Sequence, residues 1–155
     1  MSNKNNNIPH LVRTDFQRIY GSSSGVRPLA RALLNPSIRA ALLIRVALAG
    51  NTVIHALARN ILISLHSIDV GRGAEIGEGI YLPHPMGIVI GEGAKIGKGV
   101  TIYHGVTIGK LREAYPTIED NSTLFPNAVV IGNSTVSRKT RVAPNSVIRP
   151  HDVNS

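Results

Sequence analysis

His84 and His104 lie near the two ends of HPMGIVIGEGAKIGKGVTIYHG, residues 84–105, a stretch otherwise built almost wholly of glycine, branched aliphatics and small polar residues. Imidazole takes up and gives back a proton near neutral pH, which suits it to acid–base chemistry. Two of them twenty residues apart are either unconnected loop residues or two parts of one site. The backbone between them decides which.

That backbone is periodic. Branched aliphatics fall at Val70, Ile76, Leu82, Ile90, Ile96, Ile102 and Ile108, then at Ile118, Leu124, Val130, Val136, Val142 and Ile148. The spacing is six, with an excess of two between Leu82 and Ile90 and of four between Ile108 and Ile118. Neither a helix nor an alternating strand gives this period. A short strand followed by a turn does: the aliphatic residue points inward, and Gly, Asn or another small residue lets the chain turn. Three such units close a triangular coil of about 18 residues, which buries its inner face only by stacking on its neighbours. The expected fold is therefore mainly β, a parallel β-helix over residues 68–155. Repeated I-G-x-G also suits a nucleotide-binding turn, but that signature occurs once, between a strand and a helix, and is not reiterated along a chain.

In such a coil His84 is the third residue of the hexad beginning at Leu82, and His104 the third of the hexad beginning at Ile102. They share a corner one coil apart, where stacked strands are about 4.8 Å from each other. The two-residue break follows His84 directly, and local breaks in a regular ladder re-aim side chains. The second break, GKLREAYPTI, puts residues 110–117 in a loop that protrudes to cover a cleft or clasp another subunit.

The elements ahead of the repeats read as helices. Residues 1–12, Asn-rich at the start, read as a disordered arm, and residues 13–67 as a helical segment. A short helix is capped by Thr14 or Asp15 and stopped at Gly21; a second begins near Val26 and ends before Pro36. A third covers residues 37–49, with Arg39 and Arg45 off an apolar face of Ile38, Leu42, Val46 and Ala49, and a fourth runs over residues 52–66. These helices are too few for a large core of their own and must pack on the rest of the chain or on a partner subunit.

Composition narrows the chemistry. The 155 residues fit one domain with a short appendage. Without cysteine, disulfides, Cys-ligated metal, Fe–S clusters and thiolate chemistry are excluded. The net charge of +8 is lopsided, +7 of it in residues 1–68. A basic half of this kind steers toward nucleic acid, an anionic membrane surface or an anionic cosubstrate. Arginines break the apolar runs short of a membrane span, and the polar start does not read as a secretory signal, so the expected location is cytoplasmic, with peripheral membrane contact left open. The absence of aromatic residues among those arginines argues against a base-stacking nucleic-acid platform.

Residues 68–109, and within them H-x-x-G-I-V-I-G-E and G-V-T-I-G, resemble the serine O-acetyltransferases and their relatives among the hexapeptide-repeat acyltransferases, capsule and exopolysaccharide acetyltransferases included. The resemblance implies a left-handed solenoid, a hand that the spacing itself does not fix. It further implies a homotrimer with active sites between subunits, acetyl-CoA as cosubstrate without a metal, and direct acetyl transfer to a hydroxyl. It puts the general base on His84 and the aspartate that orients it on Asp69. The family's second histidine falls on Tyr115, so that either Tyr115 or His104 takes its role. Gly105, Tyr103 and His104 are candidates to face the oxyanion. Coenzyme A would run along the solenoid edge by Gly105, Gly109, Pro126 and Pro144, its phosphates met by Arg138, Lys139 and Arg141. Two carboxylates that hold the amino acid in the family are replaced by Pro83 and, near Ser23, by no acid at all, which opens the acceptor to a sugar or glycan hydroxyl. The chain stops at RPHDVNS, before the family's usual tail. The competing expectation is a non-catalytic scaffold or ligand-binding β-helix.

Overall fold

The computed structural model describes residues 8–21 and 34–150. Among the described residues three helices, α1 (Ile8–Tyr20), α2 (Pro36–Ala49) and α3 (Thr52–His66), precede twelve short strands running from β1 (Asp69–Val70) to β12 (Val147–Ile148). The strands form three parallel sheets. One holds β1, β3 (Val89–Ile90), β6 (Thr107–Gly109), β9 (Val129–Ile131) and β12. The second holds β2 (Glu75–Ile76), β4 (Lys95–Ile96), β7 (Thr117–Ile118) and β10 (Thr135–Val136), and the third β5 (Thr101–Ile102), β8 (Thr123–Leu124) and β11 (Arg141–Val142). Consecutive strands never pair; each bonds to the strand one coil on. This is the expected three-sided parallel solenoid, about four turns long.

Along the first side the register passes from Asp69 to Val89, Thr107, Val129 and Val147, steps of 20, 18, 22 and 18 residues. The two departures from 18 are the breaks read in the sequence, between Leu82 and Ile90 and between Ile108 and Ile118. The aliphatics of the six-residue period are buried from Val70 to Val142, with Ile148 half-buried at the open end. A second inward row, Ala74, Ile80, Ile88, Ala94, Val100, Val106 and Ala128, fills the corners. Small residues recur there because the three walls converge and leave little room.

Two columns of turn residues adopt the left-handed conformation that glycine tolerates best. The column beside the histidines runs Gly87, Gly105, Asn127, Asn145, with φ from 57° to 68°. Asparagine is the non-glycine residue suited to this region, and here the Asn127 amide also donates to Asn145 Oδ1 at 3.2 Å. A Cβ on Gly105 would meet the tip of the Asn127 side chain, which together with the positive φ favours glycine at the lower position.

α1 begins at Ile8, earlier than the expected cap at Thr14 or Asp15, so residues 8–12 are helical and not part of an arm. Ile8, Leu11 and Val12 are half-buried, and Pro9 falls in the first turn, where its missing N–H costs nothing. Asp15 is no cap. It is buried and clamped by Arg45, Nε to Oδ2 at 2.8 Å and Nη2 to Oδ1 at 3.0 Å, and it also accepts from the Ile80 N–H at 2.9 Å. Arg45 then donates to the carbonyls of Ile76 and Gly77, both at 2.6 Å. The expectation that Arg45 lies off the buried face of α2 is thus corrected: Ile38, Ala41, Ile44 and Arg45 are inside, while Val46 and Ala49 are exposed. A buried guanidinium is tolerable because it donates four hydrogen bonds, two to the Asp15 carboxylate and two to backbone carbonyls. α2 and α3 are each N-capped by an asparagine, Asn35 and Asn51, whose side chains accept from two backbone amides. The second expected helix, from Val26, lies almost wholly outside the described residues, as do Ser23 and residues 151–155.

Candidate active site

The corner that ends the first coil, residues 83–88, has six residues where the equivalent corner of the next coil, 103–106, has four. His84 stands between Pro83 and Pro85. A residue before proline is driven to extended backbone and a proline fixes its own φ, so the segment has few conformations to choose from. A tight bond from the Met86 N–H to the His84 carbonyl, 2.8 Å, reverses the chain, and the Gly105 N–H donates to the Met86 carbonyl at 2.9 Å. The corner is thereby stacked on the next coil.

This stacking brings the imidazoles together. The His84 and His104 rings are 5.9 Å apart between centroids and near-perpendicular at 68°. His84 is exposed and His104 half-buried. The His84 ring also lies 6.2 Å from that of Tyr103, which stacks on Phe125 at 5.3 Å, and the Arg141 guanidinium sits 5.3 Å over the Phe125 ring. A file of rings closed by a cation thus runs along the third corner from His84. Phe125 was not read as a site residue in the sequence. Its signal was its distance of 22 residues from Tyr103, one coil of 18 once the four inserted residues are removed.

Asp69 opens the first coil, but its carboxylate faces Arg59 of α3, with Nε to Oδ1 at 2.5 Å and Nη2 to Oδ2 at 2.8 Å. Among the described residues the ring partners of His84 are Tyr103 and His104, and Asp69 is not hydrogen-bonded to it. The hydrogen bonds from Arg59 hold the Asp69 carboxyl below the usual carboxylate range; burial opposes them, and the Arg59 charge adds a smaller lowering effect. Arg59, held in turn by Asp69, has its pKa raised.

The remaining candidates divide among the three corners. Gly105, Pro126 and Pro144 share the histidine corner, and Arg141 reaches its edge. The Gly105 N–H is engaged by the Met86 carbonyl, while the Pro126 carbonyl accepts from the Asn145 N–H at 3.0 Å and keeps a second lone pair. Gly109 and Tyr115 lie at the corner after the first side. Tyr115 packs flat on Gly91 and Gly93, where any Cβ would strike its ring. Lys139, in the left-handed region at φ 61°, and Arg138, paired with Asp120 at 3.2 Å, lie at the second corner. The chain therefore brings His84 and His104 together but leaves Tyr115 at a different corner.

Among the described residues no three His, Cys, Asp or Glu side chains are placed to hold a metal ion, and no helix is long and apolar enough to cross a membrane.

A three-sided parallel solenoid of about four turns preceded by helices is the architecture of the hexapeptide-repeat acyltransferases. The relatives and structural neighbours of the chain within that superfamily are serine acetyltransferases. It is 40% identical over 90 residues to a serine acetyltransferase of Bacillus licheniformis, a match covering 56% of this chain and 41% of that protein. A putative serine acetyltransferase of Schizosaccharomyces pombe is 31% identical over 143 residues, 86% of this chain and 53% of the relative. The structure of a Neisseria gonorrhoeae serine acetyltransferase in complex with serine superposes with a TM-score of 0.74 at 26% identity, over 90% of this chain and 61% of that one. The chain spans about half or less of the length of the curated relatives it matches. No family model matches it.

Proposed function

We propose that this protein is an O-acetyltransferase that moves the acetyl group of acetyl-CoA to a hydroxyl of a small acceptor, with His84 as general base. The observation that carries the reading is the pairing of the His84 and His104 rings, 5.9 Å apart, on a corner stiffened by two prolines in a fold shared with serine acetyltransferases. A hydroxyl is a weak nucleophile until a base takes its proton as it attacks, and imidazole is matched to that task near neutral pH. The acceptor oxygen bonds to the thioester carbonyl carbon while its proton passes to the His84 ring; the C–S bond then breaks, and the ring returns the proton to the departing thiolate, giving free CoA thiol. His104, edge-on to His84, is the nearer candidate for the second polar group, since Tyr115 of the same protomer lies elsewhere. Arg141 is the cation within reach of this corner for the cosubstrate's phosphates.

An oligomer in which the Tyr115 corner of one protomer faces the histidine corner of the next accounts for the separation of the two, and a trimer closes such a heterologous contact with three copies. Serine is the first acceptor to test, because the relatives are serine acetyltransferases; Pro83, where an acid would hold an ammonium group, keeps sugar hydroxyls in the screen.

The test is CoA-thiol release from acetyl-CoA with serine, homoserine and simple sugars. His84→Ala is expected to lower turnover of whichever acceptor works by at least about a hundredfold, with the oligomeric mass unchanged. Undiminished turnover would remove His84 as base, and failure to bind acetyl-CoA at millimolar concentration in calorimetry would favour the scaffold reading instead.

A further inference from the structure

α3 is buried along one narrow row, His55, Ala58, Leu62 and His66. Every other residue from Thr52 to Leu65 is exposed. What it turns outward does not resemble a solvated helix face. Residues four apart line up in rows on a helix surface. One such row is Val53, Leu57, Ile61 and Leu65, which are 65%, 61%, 44% and 57% exposed. Beside it runs a row of smaller, uncharged side chains, Thr52, Ala56, Asn60 and Ser64, all exposed as well. The helix thus presents an apolar ridge with a groove alongside, over a length of about 22 Å. Among Lys, Arg, Asp and Glu it contains Arg59 alone, and that guanidinium is bonded to Asp69 of the first coil.

We propose that α3 pairs with α3 of a second copy of this chain across a two-fold axis, the ridge of each helix lying in the groove of the other. Rows of residues four apart that interdigitate are the commonest way for two helices to pack; they cross at about −50°, here with Leu57, Asn60 and Ile61 at the crossing. A two-fold contact sets a patch against itself, so any charge on it would oppose its own copy. This patch carries none. The area points the same way. With Ile54, 43% exposed, the ridge leaves roughly 500 Å² of apolar surface open, as large as the largest patches monomers expose, which are often functional. Two copies together bury about 1,000 Å², the lower bound for a specific interface, so the pairing is reversible and depends on concentration. A membrane surface is the poorer partner, because a helix lying in the lipid interface is rich in Lys and Arg on its polar face, and the one arginine of α3 is held by Asp69. The pairing does not rest on acetyl transfer. It is also separate from the head-to-tail contact between the Tyr115 and histidine corners: added to a closed trimer it gives six copies, and without one it gives two.

The test is the mass of the full chain by sedimentation equilibrium at micromolar concentrations, for the wild type, Leu57→Glu and Leu57→Lys. The wild type is expected to double its mass in a reversible step, and each variant to lose that step and stay at half the mass. A mixture of the two variants should recover it, since Glu then faces Lys. Whether the unit that doubles is one chain or three tests the trimer separately. Because the chain has no cysteine, Asn60→Cys under mild oxidation reports the same contact without adding a charge. It should give a disulfide-linked pair on a denaturing gel, and it decides the question should the charged variants fail to fold. A wild type that does not double, a mixture that does not recover, or an Asn60→Cys variant that stays unlinked overturns the proposal. So does a Leu57→Glu variant that keeps the wild-type mass. If that variant is also less stable to urea, the ridge is covered within the chain; if instead it no longer binds phosphatidylglycerol vesicles that the wild type binds, the ridge meets a membrane.

Discussion

The Asp69 carboxylate is held by an arginine on the helix that leads into the first coil, ten residues back in the chain. Arg59→Met tests how much this matters. With the guanidinium gone, the Asp69 carboxyl is expected to titrate upward, toward about 3.9, in carboxyl carbon NMR. Because Arg59 lowers the folded-state pKa, its stabilisation is complete above the unfolded value near 3.9 and is lost as pH falls from there through the folded value. The stability gap between wild type and Arg59→Met should therefore be open at pH 6 and closed at strongly acid pH. Both side chains are about half exposed, so the gap is under about 1 kcal/mol. A gap that is unchanged on acidification, or an Asp69 that does not move, contradicts the pairing. In the sequence, Asp69 was legible only through resemblance, and its ion pair was not legible at all. Arg59 looked like one more charge in a basic half, and nothing in a helical period says which strand residue a helix end will meet.

At the scale of elements, the helices are joined to the solenoid through a few buried polar contacts. The Asp15–Arg45 pair ties α1 to α2 and both to residues 76–80 of the first coil. Asp15→Ala leaves the Arg45 charge buried without its carboxylate and the Ile80 N–H without its acceptor, a loss expected at about 3–5 kcal/mol. Urea unfolding of the variant measures it, and a loss below 1 kcal/mol would mean that Arg45 finds solvent when Asp15 is removed. The same pair explains why the face of α2 was misread. Arginine ordinarily marks the solvent side of a helix, and its partner here stands thirty residues earlier on another helix. The pattern of α3 was clearer, since Asn51 caps its start and Ser67, at φ 52°, ends it in the left-handed turn that closes helices. What the helical pattern could not show was that Arg59 and His66 of α3 both face the first coil.

At the scale of the molecule, legibility came from repetition. Every coil carries inward aliphatics at the same interval, so one misjudged residue cannot shift the frame, and the pairing of His84 with His104 followed from counting. The assignment of Gly109, Tyr115, Lys139 and Arg141 to three different corners needs the register after the four-residue insertion, which the aliphatics on either side of it supply. A stack held this way should not be uniformly stable. Each coil rests only on its neighbours, so the interior loses more from a cavity than the end does. Ile108 is fully buried in β6, covered by β3 on one side and β9 on the other. Ile148 is half-buried in β12, with β9 as its one neighbour in the sheet. Ile108→Ala is expected to cost about 2–5 kcal/mol, and Ile148→Ala distinctly less because its site relaxes toward solvent. Denaturant unfolding of the two variants checks the order, with hydrogen exchange showing earlier opening at β12 than at β6. Equal costs would mean that the open end is covered in solution, and the coil that binds β12 would then have to come from outside the described residues.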